Sequence, residues 1–217
     1  ERYGPTAVYA VPGDTSRKLL WRLRNGEAPR AQPRAVLLHI GINDLGRRGA
    51  ACTLSGKLSQ GKHKTSFCDK LGRRSFDHSD AEGVYFGIKA VIVELWRRCK
   101  APIVLTSLFP TGAEWPGGNY GVTVPLLNEF FSELAASAVD GLHVVDCTWA
   151  VLETDTGRIN KTLMPDFLHP SPQGMANWAK CLQPTFDRLI KPRTSVGARE
   201  GVAEKPTVPP ALLPATA

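Results

Sequence analysis

Apolar positions along the chain fall into short continuous runs separated by stretches with helical spacing. Residues 8–11 form a short apolar run, read as a strand, closed by Pro12-Gly13. Leu19, Leu20 and Leu23 then share one face of a predicted helix that stops near Asn25-Gly26. Residues 35–40 are almost continuously apolar up to Gly41, the pattern of a strand covered on both faces. A helix is predicted over 81–98, with Val84, Ile88, Val91, Ile92, Leu95 and Trp96 as its apolar side. Ile103, Val104 and Leu105 mark the next strand, within 102–109. A Gly/Pro-rich loop over 110–120 leads to a helix over 124–137 built on Leu127, Phe130, Phe131 and Leu134. Residues 143–146 read as another strand. The last helix is predicted to start at Pro172, with Ser171 as its N-cap. Strands alternating with helices predict an α/β fold, a three-layer α/β/α sandwich on a mainly parallel sheet. Chemistry in such sheets sits at the C-terminal ends of the strands.

Composition divides this pattern into one domain and two appendages. With 217 residues and 42% hydrophobic content, the chain can bury one sizeable core, expected over residues 1–191. Residues 46–79 read as a polar insertion and 192–217 as a disordered Pro/Ala-rich tail. The net charge of +7 is concentrated in the insertion, where Arg47, Arg48, Lys57, Lys62, Arg73 and Arg74 are among its cations. No nucleic-acid-binding motif accompanies them, so a solvated basic loop is expected and no nucleic-acid partner. No apolar run reaches about 18 residues, so no transmembrane segment is predicted. None of the five cysteines forms a Cys-x-x-Cys pair, and neither a metal nor an organic cofactor is expected. Cys52 and Cys68 lie within the insertion, about its basic loop, and would suit a disulfide in an exported protein, in which the Asn160-Lys161-Thr162 sequon would also matter.

Three segments at predicted strand ends carry candidate chemistry. In Asp166-Phe167-Leu168-His169, an Asp and a His three residues apart can meet within one turn of chain. The carboxylate would then fix the imidazole tautomer and leave Nε2 free to take a proton. Asn43, in Gly41-Ile42-Asn43-Asp44, can offer a side-chain amide to a developing oxyanion. Gly13, after the first apolar run, can offer its backbone N–H to the same charge. Each segment alone also suits ordinary turn or cap chemistry. His39 reads as a packed strand histidine, Asp44 as a local support of the Asn43 turn, and Trp96, Trp149 and Trp178 as packing residues.

Taken together, the three segments resemble conserved blocks of the SGNH/GDSL hydrolase family. Gly41-Ile42-Asn43-Asp44 is similar to its third block and residues 166–169 to its fifth. Gly13 with the string running through Leu20-Trp21-Arg22-Leu23-Arg24-Asn25-Gly26-Glu27 is similar to its second, in the form found in the catalytic subunits of intracellular platelet-activating factor acetylhydrolase. The resemblance spans roughly residues 7–190, apart from the basic insertion. It implies a flavodoxin-like sandwich and a serine esterase acting on small, acetyl-type esters through an acyl-enzyme. His169 would be general base and then acid, Asp166 would orient it, and Gly13 and Asn43 would donate to the oxyanion. It also favours a cytoplasmic location.

The family's nucleophilic Gly-Asp-Ser turn has no counterpart here. A strand–helix–strand unit takes about 30 residues, and only 12 precede Gly13, so the serine and its strand are expected upstream of residue 1. A rival reading makes Gly13-Asp14-Thr15-Ser16 the first block, with Thr15 or Ser16 as nucleophile. Pro12 stands where relatives often carry another Gly. A sheet without its first strand would call for completion by another chain or a homo-oligomer. A catalytically degenerate domain serving as an interaction module is the alternative function.

Overall fold

The computed structural model describes residues 3–27, 32–49 and 78–190. Three parallel strands form the sheet: β1 (Val36–Leu38), β2 (Ile103–Thr106) and β3 (Leu142–Val145), in the order β1-β2-β3. Helices α1 (Ser16–Arg24), α2 (Ile42–Gly49), α3 (His78–Arg98), α4 (Gly118–Ala136) and α5 (Pro172–Ile190) surround it. β2 is buried at every position, as its unbroken apolar run requires. Its side chains alternate between two cores. Ile103 and Leu105 join Leu23 of α1, Ile88 and Ile92 of α3, and Leu127 and Phe131 of α4. Val104 faces the other way, onto Val151 and onto Leu182 of α5. The sheet therefore lies between two apolar layers, the predicted sandwich. The chain advances across the sheet in one direction with α3 and α4 in one layer, as same-handed crossovers demand.

Most elements form where the pattern placed them, and the differences have physical reasons. α5 begins at Pro172, and the Ser171 hydroxyl accepts from the Gly174 N–H at 3.2 Å, the predicted cap. α4 starts at Gly118, earlier than its apolar spacing suggested, and so takes up the end of the loop. α2 runs to Gly49, so the first residues assigned to the insertion are helical. The insertion's last two residues begin α3, and residues 50–77, with Cys52 and Cys68, lie outside the described residues, as does the tail. Trp149 is exposed rather than packed, on a short 3₁₀ turn (Thr148–Val151). Among the described residues, sequence spacing did not reveal one disulfide: Cys147, just past β3, is bonded to Cys181 on α5, with Cα atoms 5.9 Å apart.

The principal correction concerns residues 8–11, which form no strand. They run extended and exposed, with Val8 79% accessible. Backbone groups here are engaged locally: the Val11 carbonyl accepts from Asp14 N–H, and the Tyr9 carbonyl accepts from Arg22. An apolar run becomes a strand only when a neighbour completes its ladder, and none of the described residues does so. The outer edge of β1 is likewise unpaired among the described residues. Leu37, beside Val104 in the register and so on the α5 face, remains 41% exposed.

Candidate active site

The turn carrying Asp166 and His169 is closed by its own side chain. One Asp166 oxygen accepts from the backbone N–H of Leu168 at 3.0 Å and of His169 at 2.7 Å. The other lies 2.7 Å from His169 Nδ1. Four residues thus place carboxylate and imidazole together without help from the rest of the fold. The His169 side-chain bond, followed by the backbone donors, lowers the Asp166 carboxyl from 3.8 to about 2. An ionised carboxylate only accepts, so Nδ1 carries the hydrogen and Nε2 of the neutral ring is left as an acceptor. The His169 side chain is 75% exposed, and among the described residues no hydroxyl is hydrogen-bonded to it. Phe167 in the same turn has φ +59, a left-handed conformation that costs an aromatic residue energy. Its carbonyl accepts from the Gly112 N–H at 2.9 Å, tying the turn to the loop after β2.

The Gly13 and Asn43 segments are joined to each other. The Asp44 carboxylate accepts from the Ser16 hydroxyl at 2.6 Å and from the Ser16 N–H at 2.9 Å. It does more than support its own turn: it links the start of α1 to the start of α2. Ser16 is 3% exposed, and α3 passes so close that a Cβ on Gly87 would meet its Oγ at 2.4 Å. Thr15 caps α1 by accepting from Lys18 N–H. Both rival nucleophile hydroxyls are therefore buried and engaged. Gly13 is exposed at φ +72, with open space around its Cα. Asn43 lies in the first turn of α2 and is partly exposed.

The string from Gly13 to Glu27 has a structural content that spacing alone did not disclose. Arg22 of α1 forms ion pairs with both Asp14 and Glu27 and reaches the Tyr9 carbonyl at 3.3 Å. One guanidinium thus ties the Gly13 loop, before α1, to Glu27, past its far end. The loop after β2 is held in the same manner. Asn128 of α4 exchanges two hydrogen bonds with the Leu108 backbone, and the Ser107 hydroxyl donates to Asp146 at 2.9 Å.

His39, beyond the end of β1, is the packed histidine expected. Its Nδ1 lies 2.7 Å from the Thr106 hydroxyl, and its ring lies 5.2 Å from those of Phe109 and Trp178. Part of the residue is accessible at its margin, but the imidazole is enclosed, and burial lowers its pKa from 6.5 to about 4. As pH falls below about 6.5 the unfolded chain takes up this proton and the folded chain does not. The stabilisation is full above that pH and is lost as pH falls toward 4, by up to about 3 kcal/mol. The thermal midpoint is expected to fall over that window, and His39→Gln should flatten the slope. An unchanged slope in the variant would place its origin elsewhere.

A cleft of about 830 Å³ opens beside the 166–169 turn, between the loop at Gly112–Trp115 and residues 153–162. Among the described residues no cluster of His, Cys, Asp and Glu is arranged to hold a metal ion, and no helix is long and apolar enough to cross a membrane.

A parallel sheet between helical layers, with an Asp–His turn ahead of the last helix, is the frame of a carboxylic-ester hydrolase. The chain belongs to the GDSL-like lipase/acylhydrolase family, whose model matches residues 1–176. It is 26% identical over 194 residues to the platelet-activating factor acetylhydrolase IB subunit alpha1 of Pongo abelii, covering 88% of this chain and 67% of that one. The Bos taurus subunit is also 26% identical, with 84% and 63% covered. The chain thus spans about two thirds of the length of these relatives. Two solved structures share the fold. A GDSL-like lipase from Bacteroides thetaiotaomicron has TM-score 0.54 at 16% identity, with 81% of this chain and 72% of that chain covered. A catalytic mutant of an acetylxylan esterase from Geobacillus stearothermophilus has TM-score 0.52 at 20% identity, covering 82% and 68%.

Proposed function

We propose that this chain carries the base, the orienting acid and the oxyanion donors of a serine esterase that removes small acyl groups, acetyl above all, from an alcohol. The observation behind the proposal is the Asp166–His169 contact, which engages Nδ1 and leaves Nε2 without a partner among the described residues on a side chain that is 75% exposed. Similarity to a platelet-activating factor acetylhydrolase subunit supports acetyl as the acyl group. In the proposed sequence His169 takes the proton of a serine hydroxyl as it attacks the ester carbonyl. The Gly13 N–H and Asn43 amide hold the oxyanion. His169 then returns the proton to the leaving alcohol, and water repeats the cycle on the acyl-enzyme. No step calls for a metal or an organic cofactor.

We propose that the serine sits on a strand upstream of residue 1, against the edge of β1 that no described residue pairs. The unpaired edge, the accessible Leu37 and the strandless apolar run at residues 8–11 all suit a sheet one strand larger. The test is to treat the protein, expressed with its upstream coding sequence, with a fluorophosphonate and map the labelled residue by mass spectrometry. A serine upstream of residue 1 is expected. Labelling of Ser16 or Thr15 would overturn the assignment. No labelling anywhere would favour the second reading, a degenerate domain used as an interaction module, which draws on the observation that among the described residues no hydroxyl is bonded to His169.

A further inference from the structure

The cleft beside the candidate turn is far larger than an acetyl group needs, and its charges are unevenly matched. Phe167, between Asp166 and His169 in sequence, forms part of one wall. Trp115 supplies a second ring. Arg158 and Lys161 also line the cleft, both exposed, and neither is paired with a carboxylate among the described residues. Lys161 Nζ stands 5.4 Å from the centre of the Phe167 ring, which holds this cation against the turn that bears His169. One lining carboxylate, Glu153, opposes them, and its oxygen already accepts from the Thr156 hydroxyl at 2.6 Å. Among the lining residues two cations face one carboxylate, so their summed charge is positive.

We propose that this cleft is the subsite for an anionic group on the alcohol side of the ester, with Arg158 and Lys161 as its recognition residues. The inference rests on the esterase reading for its placement. An acetyl group has neither the volume nor the charge to use such a cleft, whereas sites of several hundred Å³ suit drug-sized molecules. The rings of Trp115 and Phe167 offer flat apolar faces to the carbon skeleton of the alcohol. The guanidinium and ammonium meet its anionic oxygens in charge-assisted hydrogen bonds. Two alcohol classes share this chemistry: phosphate-bearing polyols, as in lipid headgroups, and sugars bearing a carboxylate. Glu153 sets the sign of the test, because its removal should strengthen binding where loss of either cation weakens it.

The experiment measures binding of the product alcohols, which requires no nucleophile, by titration calorimetry. Glycerol 3-phosphate and glucuronate are compared with glycerol and glucose. At least one anionic ligand is expected to bind in preference to its neutral partner, and which one binds names the class. Arg158→Gln with Lys161→Gln should weaken that binding roughly tenfold, and Glu153→Gln should tighten it. In turnover, the ratio of kcat/KM for the anionic acetyl ester over the neutral one should fall by a similar factor in the double variant. Equal binding of charged and neutral ligands, or indifference to these substitutions, overturns the subsite even if the protein hydrolyses esters. Charge-selective binding without hydrolysis leaves the subsite standing and overturns the esterase reading instead.

Discussion

His169→Ala is expected to lower kcat/KM for an acetyl ester about 10⁴-fold in the protein carrying its upstream sequence, about 5 kcal/mol of lost transition-state stabilisation. The side chain is largely exposed and supports no core, so folding should be unaffected, and circular dichroism with a thermal melt checks that. Asp166→Asn is the sharper variant. Asn can still accept the Leu168 and His169 N–H bonds that close the turn, so the loop should persist. Its NH₂ group, placed at His169 Nδ1, favours the tautomer with the proton on Nε2, where a base must be bare. A loss approaching that of His169→Ala is expected with the turn intact. The wild-type pH profile adds a constraint. Because Asp166 is held down to about 2, it stays ionised through the working range and is protonated only as pH falls through that value. An acid limb above pH 4 therefore reports another group. Retention of near-full activity in both variants would remove residues 166–169 from the chemistry.

The parts of this molecule legible in its sequence are those encoded locally. The all-buried run of β2, the stripe of Val84, Ile88, Val91, Ile92 and Leu95 on α3, and the Ser171-Pro172 start of α5 each fall within a few turns of chain, and each is found. The Asp166–His169 contact was legible for the same reason: the partners are three residues apart. What escaped depends on distant groups. Residues 8–11 have the composition of a strand, but pairing is a property of two segments, and hydropathy cannot report a missing neighbour. The Cys147–Cys181 bond spans 34 residues without a recognisable spacing. Arg22 was legible only as part of the string from Gly13 to Glu27; its pairs with Asp14 and Glu27 span eight and five positions and follow no periodicity that hydropathy reports. Asp44 was read as a turn residue because its partner lies 28 positions away.

Asp44→Ala should bring the largest loss of stability among the site variants. It removes two acceptors from Ser16, whose hydroxyl and N–H are shut away between α2 and Gly87 of α3. Buried donors without partners cost about 1–3 kcal/mol each, so destabilisation of about 3 kcal/mol and a fall of several degrees in Tm are expected. The same carboxylate holds the Gly13 loop against the first turn of α2. Its loss should also reduce kcat about a hundredfold, because oxyanion donors act only when correctly placed. Ser16→Ala separates this account from its rival. If Ser16 is structural, the variant loses one hydroxyl and keeps the backbone bond to Asp44, so stability falls modestly and most activity remains. If Ser16 is the nucleophile, fluorophosphonate labelling and turnover vanish together while the melt barely moves. In the double variant the stability losses should be less than additive, because both single changes break the same contact. Strict additivity would mean that Asp44 stabilises the domain through some other partner, and the link between the two loops would then lose its claim to hold the oxyanion donors in register.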